Sequence, residues 1–458
     1  MVFHNIEKIH FVGIGGIGMS GIAEVLLNLG FTITGSDIRK NDTTERLERL
    51  GARIFYGHRE ENVQDADVVV ISSAVRLDNP EVVKAKELFI PVIQRAEMLA
   101  ELMRMKYSIA VAGAHGKTTT TSLVSTVLAQ AGMDPTCVIG GKLNSFGSNA
   151  KLGSSKYLVA EADESDGTFL LLFPTIAVVT NIDMEHLDFY KDLNEIKSAF
   201  LTFLNKVPFY GMDIICIDNP NLQSLIPDIK RRYISYGLSK QADIRAADIT
   251  TEGFKTRCRV IYRDKELGEV VMSLPGIHNV VNGLAACAVG IELNIPFSTI
   301  AEALGSFSGI QRRLEIKWDG EIKLIDDYGH HPTEIKATLS SLRGMWKDRI
   351  IVAFQPHRYT RTKALMDEFV TSFNEADILI VTEIYPASEE PIEGVSGAIL
   401  AERIKASGHK NVLYCPTKEE AAERIAEIAV PGDAVVILGA GDINKICDTL
   451  RMRWTGQE

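Results

Sequence analysis

Two short stretches of the 458-residue chain pair glycines with residues that can hold phosphate. Residues 11–21 read FVGIGGIGMSG, and residues 110–122 read AVAGAHGKTTTTS. In the first, Gly13, Gly15, Gly16 and Gly18 satisfy G-x-G-x-x-G after an apolar run, and Asp37 closes the next apolar run. That arrangement gives a tight turn, close backbone approach to phosphate, and a helix N-terminus facing negative charge. On the fingerprint alone a dinucleotide is the favoured ligand, with a structural glycine turn as the alternative. The fingerprint reports a nucleotide diphosphate without identifying the nucleoside, and a UDP-sugar would meet the same amides.

The second stretch is a shortened P-loop: Val111 stands where the full spacing requires glycine. Gly113, Ala114, His115 and Gly116 still offer backbone N–H groups. Lys117 supplies a cation, and Thr118, followed by Thr119, supplies a hydroxyl for Mg²⁺. Glu161 ends the run YLVAE, and His186 lies just beyond the run IAVVTN, which ends at Asn181. In a parallel sheet the strand carboxyl ends share one edge. Lys117, Thr118, Glu161 and His186 are therefore expected to meet there, with Thr118, Glu161 and His186 as metal ligands. A hydride-transfer enzyme has no use for such Mg-ATP apparatus, which counts against NAD at the first turn.

Positioning these residues requires alternating strands and helices. Residues 8–14 read as a buried strand and 17–29 as a helix stopped by Gly30; TITGSD, ARIFYG and DVVVISS follow as strands. The pattern restarts at 107 and again near 318. Between them, 243–275 alternates polar and apolar residues, as antiparallel hairpins do. Residues 279–293, 363–375 and 418–429 read as helices. The expected fold class is α/β in three domains. Residues 1–106 form a Rossmann-like domain, 107–317 a P-loop domain of mainly parallel sheet with antiparallel hairpins, and 318–458 a second Rossmann-like domain.

The formal net charge of −11 argues against a nonspecific nucleic-acid binder. Six cysteines without a CxxC pair suit reduced thiols. No apolar run is long enough to span a membrane and no leader peptide is evident, so a cytoplasmic protein is expected.

With these stretches in view, the chain resembles the Mur ligases over essentially its whole length, and among them the alanine-adding branch. The resemblance rests on GIGGIGMSG, AGAHGKTTTT, EADESD (161–166), HNVVNG (278–283), DDYGHHPTE (326–334) and FQPHRYTRT (354–362). It implies ATP-dependent ligation of L-alanine to the lactyl carboxylate of UDP-N-acetylmuramate through an acyl phosphate. ATP is then a co-substrate and Mg²⁺ the cofactor, with Mn²⁺ able to substitute; the chain is a monomer or homodimer.

By resemblance, Gly13, Gly15, Gly16, Gly18, Asp37, His58, Ser72 and Ser73 would bind the UDP-sugar. Gly113 to Thr119 would take ATP, with Asn282, Arg313 and Asp327 at its adenine, ribose or phosphates. Asp327 alternatively tethers Tyr328 beside the amino acid. Tyr328, His357, Arg358 and Arg361 would hold the amino acid. Lys117, Glu161, His186, His331 and Arg358 form the catalytic set, and the C-terminal domain would close over ATP and amino acid. His330 and His331 would orient groups or accept the amine proton, although a cap on the helix starting at PTEI is a competing role. Two departures stand out. Phe200 falls where several sister ligases carry a carbamylated lysine, with Lys197 one turn earlier, and Ala114 replaces a threonine common in this branch.

Overall fold

The computed structural model describes residues 6–72, 74–139, 150–186, 189–387 and 389–455. Three sheets account for its strands. The first, in spatial order, is Arg53–Tyr56, Thr32–Asp37, Lys8–Val12, Val68–Ile71 and Val92–Gln94, all parallel. The chain order reverses on either side of Lys8–Val12, so the glycine turn leaving that strand opens at a topological switch point.

The second sheet has ten strands. Its first strand in the chain, Tyr107–Ala112, lies between Ile176–Val179 and Tyr157–Glu161, parallel to both. The second glycine turn thus also leaves a switch point. At the far end, Ile244–Glu252, Lys255–Tyr262 and Lys265–Met272 are neighbours joined by two-residue connections, too short for parallel crossovers. Arg263 and Asp264 form one of these connections, both with positive φ (45° and 63°), the signature of a hairpin turn that matches strand twist.

The third sheet runs Glu315–Asp319, Lys323–Asp327, Ala434–Leu438, Ile350–Phe354, Ile378–Val381, Val412–Tyr414. Only its first pair is antiparallel. It begins three residues before the expected boundary at 318. Both faces are covered. Ile350, Val352 and Phe354 pack with Leu339, Leu342, Phe369 and Phe373, while Ile351 and Ala353 pack with Ala421, Ile425 and Leu450. That alternation is the period-two signature of a strand buried on both sides.

By compactness the chain divides into two units. One comprises residues 1–248, 258–271 and 281–308, and the other 249–257, 272–280 and 309–458. No helix among the described residues is long and apolar enough to cross a membrane.

Two helices depart from simple sequence reading. The span expected as one helix, 363–375, is two short helices, Tyr359–Ala364 and Met366–Val370, broken at Leu365. Periodicity reports which residues face the core, and Leu365, Met366, Phe369 and Val370 do; it does not report where the hydrogen-bond ladder breaks. The helix Lys117–Gln130 carries a continuous buried polar run, Thr119 to Ser122. It tolerates burial partly because hydroxyls bond to carbonyls four residues back: Thr121 to Lys117, Ser122 to Thr118, and Ser125 to Thr121, at 2.7–2.8 Å.

Asp213, in the strand Met212–Cys216, is fully buried and neither carboxyl oxygen has a hydrogen-bond partner among the described residues. Burial pushes its pKa up to about 8, with Arg231 opposing. Unfolded, the same carboxyl ionises near ~3.9. Between these values only the folded chain keeps the proton, so stability should fall as pH rises from about 4 to about 8, by up to ~1.4 kcal/mol per unit, and level off above. Asp213→Asn should abolish this slope in urea unfolding series at pH 5, 6, 7 and 8. An identical slope in the variant would show that another group is responsible.

Candidate active site

The first glycine turn is pinned from the neighbouring strand. Ser36 O accepts hydrogen bonds from Gly13 N at 2.8 Å and Ile14 N at 3.0 Å. Asp37 Oδ2 accepts from Gly15 N at 2.8 Å, and a Cβ on Gly15 would sit 2.7 Å from that same oxygen. Asp37 therefore shapes the turn from behind. The helix that follows, Ile17–Asn28, has no side-chain cap and no acidic residue in its first turn, leaving its N–H groups for an anion. Ser72 Oγ lies close to Gly13, and Ser73 falls outside the described residues. His58 bonds through Nδ1 to Ser36 and Glu81.

Arg95, at the start of the helix Arg95–Arg104, was not singled out from sequence. Its guanidinium lies over Gly18 and reaches Asp163 Oδ2 at 3.5 Å, so it joins the first turn to the EADESD segment beside the second.

The second turn is more tightly held. Gly113 has φ 132°, and a Cβ there would come within 2.1 Å of Thr180 Oγ1, so no other residue fits. Thr180 Oγ1 and Asn181 Nδ2 donate to His115 O, while Asn181 Oδ1 accepts from His115 N. His115 Nε2 lies 3.0 Å from Asp183 Oδ2. Ala114 takes part through its backbone, its N–H donating to Asn181 O.

Gly116, with φ 80°, starts the helix Lys117–Gln130 without a side-chain cap. Asn282 Oδ1 approaches it from the helix Ile277–Glu292 and accepts from Thr120 Oγ1. Lys117 Nζ donates to Gly113 O at 2.6 Å, Ala114 O at 3.1 Å and Glu164 Oε1 at 2.8 Å. Burial alone would lower the ammonium's pKa. Glu164, with Glu161, Asp163 and Glu185 behind it, outweighs burial and holds it above the usual lysine range.

Thr118 Oγ1 donates to Glu161 Oε2 at 3.0 Å, whereas His186 Nε2 lies 3.5 Å from Glu164 Oε1 and 3.7 Å from Glu185 Oε2. Glu164, Glu185 and His186 present ligand atoms within 4.8 Å of one another, and Glu164 Oε2 is buried without a hydrogen-bond partner among the described residues. Burial opposes charge on His186, but the Glu164 carboxylate raises its pKa. Two carboxylates and an imidazole with an unsatisfied buried oxygen suit a hard divalent cation. Glu164 and Glu185 were missed from sequence, although both flank residues that were chosen. Phe200 is buried against Phe169 and, having no polar atom in its side chain, contributes packing.

The remaining chosen residues lie in the other unit. Asp327 accepts from Leu314 N and Gly329 N, both at 2.8 Å, and from Thr338 Oγ1. It organises the loop that carries Tyr328. Arg313, half-buried, lies 5.3 Å from the Tyr328 ring centroid and bonds Glu334. His331 Nδ1 accepts from Thr333 N and caps the helix Pro332–Met345, as the competing reading allowed. His357 stacks on Tyr385 with ring planes 9° apart, and Arg361 Nη1 lies 3.3 Å from its Nδ1. Burial, then His330, Arg361, Arg358 and Arg312, push its pKa down to about 3, the mark of a strongly electropositive patch. Arg358 opens the helix Tyr359–Ala364 with φ 68°, a strained value for a side-chain-bearing residue. Arg312 and Tyr385 belong to this patch and were not chosen; neither sits in a phosphate-loop pattern that would flag it.

Comparison with known proteins adds independent findings. Residues 8–107 match the model for the Mur ligase family, catalytic domain, 111–290 the Mur ligase middle domain, and 312–441 the Mur ligase, glutamate ligase domain. A UDP-N-acetylmuramate–L-alanine ligase of Geotalea uraniireducens is 60% identical over 450 residues, 98% of each chain. One of Desulfatibacillum aliphaticivorans is 57% identical over 441 residues, 96% of this chain and 97% of that one. The crystal structure of the UDP-N-acetylmuramate–alanine ligase of Thermotoga maritima matches with TM-score 0.83 and 30% identity, covering 98% of this chain and all of that one. A murein peptide ligase of Psychrobacter arcticus matches with TM-score 0.72 and 26% identity, covering 97% and 98%. Two glycine turns at two switch points, matched domain by domain along the chain, place this protein in the Mur ligase family.

Proposed function

We propose that the chain is an ATP-dependent ligase that joins L-alanine to the lactyl carboxylate of UDP-N-acetylmuramate, in peptidoglycan precursor synthesis. The observation that carries this reading is the pairing of two unlike glycine turns in one compact unit. The first opens onto a helix start free of acids beneath Arg95. The second holds a buried lysine beside a carboxylate cluster. The first suits the diphosphate of the sugar nucleotide and the second ATP. Relatives 57–60% identical over nearly the whole chain carry the alanine-ligase name, which favours alanine over a peptide as the acceptor.

In the reaction, a lactyl carboxylate oxygen attacks the γ-phosphorus and ADP leaves, giving an acyl phosphate. The alanine amine then attacks the acyl carbon, inorganic phosphate departs, and the amine proton passes to base or solvent. Phosphoryl transfer needs alignment and charge neutralisation more than covalent help. Lys117, released from Gly113 O and Ala114 O, neutralises phosphate oxygens, and the uncapped first turn of its helix supplies amides. Thr118, Glu161, Glu164, Glu185 and His186 would hold Mg²⁺, which supplies further charge neutralisation when bound. The patch around His357, Arg358 and Arg361 suits the carboxylate of the amino acid, with Tyr328 and His330 beside it.

Coupled phosphate release should require UDP-N-acetylmuramate, ATP and alanine together. Turnover with murein tripeptide but not alanine would overturn the acceptor assignment. Lys117→Ala should lower ligation by about 10³-fold or more while UDP-N-acetylmuramate still binds in calorimetry. Loss of both in a folded variant would contradict the division between the turns. Removing divalent cations with chelator should stop phosphate release, and Mg²⁺ or Mn²⁺ should restore it; full activity in chelator would exclude the cation role.

A further inference from the structure

Beneath the first glycine turn lies a buried acid that the proposed chemistry does not use. Glu81, in the helix Pro80–Glu87, is fully buried. Its Oε2 accepts from Ser36 Oγ at 2.6 Å and lies 3.1 Å from His58 Nδ1. Its Oε1 accepts from Asn62 Nδ2 and lies 3.7 Å from His10 Nε2. His58 Nδ1 is also 2.9 Å from Ser36 Oγ. Despite burial, which opposes the charge, His10, Ser36 and Asn62 hold the Glu81 pKa down to about 2. The carboxylate is therefore an acceptor only.

The proton positions follow by elimination. Ser36 has one hydroxyl proton and gives it to Glu81, so toward His58 its oxygen can only accept. Both groups facing His58 Nδ1 are thus acceptors, and Nδ1 must carry the hydrogen. In the neutral ring the other nitrogen, Nε2, is then bare. The His58 side chain is 20% exposed, and Nε2 is bonded to no described residue. His58 follows the strand Arg53–Tyr56, whose end lies beside that of Thr32–Asp37, so the ring stands at the edge where a bound nucleotide would lie. The same Ser36 that accepts from Gly13 and Ile14 through its carbonyl thus ties the turn to the ring.

We propose that Glu81 is a positioning residue: with Ser36 it locks His58 in the Nδ1–H tautomer, so that Nε2 accepts a hydrogen bond from an N–H or O–H donor of the bound nucleoside. This rests on the reading that the first turn binds a uridine nucleotide. The donor is uracil N3–H or a ribose hydroxyl. A base with a bare nitrogen at that position, as in cytosine, would set acceptor against acceptor.

Nitrogen NMR of ¹⁵N-histidine protein at pH 8.5, with His58 assigned by its loss in His58→Asn, should show the Nδ1–H form. Glu81→Leu should shift the ring toward Nε2–H. His58→Asn, which leaves the buried acid intact, should weaken UDP binding in calorimetry by about ten-fold. Its KM for UDP-N-acetylmuramate should rise in the same proportion while its KM for ATP holds, a separation that general destabilisation would not produce. CDP tests the base donor, and 2′-deoxy- and 3′-deoxy-UDP test the ribose. The analogue lacking the donor should bind wild type about ten-fold more weakly than UDP, and His58→Asn equally with UDP. An Nε2–H ring in the wild type overturns the assignment whatever ligand the turn takes. So does a full set of analogues bound as well as UDP. A wild type that binds no UDP overturns the uridine reading instead and leaves the tautomer standing.

Discussion

The buried contact between Lys117 and Glu164 is the constraint on which the second glycine turn depends. Lysine is expensive to bury, and this one is offset by two backbone carbonyls and an acidic cluster. The carbonyls belong to the glycine turn itself. The ammonium therefore ties the turn to the helix it opens, and the acid ties both to the EADESD segment. Each partner is matched to a charge that a nucleotide and a cation would replace.

The first turn is organised by different means. Its amides are set by a carboxylate and a carbonyl from the adjacent strand, with no lysine from its own helix. Arg95 is the cation nearest Gly18, and it comes from a separate helix already in contact with Asp163. Two glycine turns built in one unit thus differ in where their positive charge originates. The lysine comes from the loop's own helix, and the arginine from an element that touches both.

Much of this was legible in the chain. The strands before both glycine turns, KIHFV and YSIAVA, end in apolar residues that run straight into glycine, which fixes where the turns fall. Spacing identified Lys117, Thr118, Glu161 and His186, but it could not tell which acid each would face. Thr118 found Glu161 and His186 found Glu164, because side-chain direction at a strand end depends on the loop beyond it. His331 shows the opposite limit. Its position before a proline and three residues before Glu334 is that of a helix cap, and the local rule governed. Arg312, Tyr385 and Arg95 were invisible because each reaches its neighbours through tertiary packing rather than sequence proximity. The break at Leu365 was hidden for a related reason, since apolar periodicity survives a change of backbone direction.

The back-bonded hydroxyls of the helix Lys117–Gln130 have a mechanical corollary. A serine or threonine oxygen leaning on the carbonyl one turn earlier tends to bend the helix there. Thr121, Ser122 and Ser125 do this in sequence, starting at the carbonyl of Lys117 itself. The orientation of the amides that open the helix is consequently steered by side chains one and two turns further along it. Swapping these small alcohols for aliphatic residues of equal size would preserve the core volume and yet re-aim the helix tip.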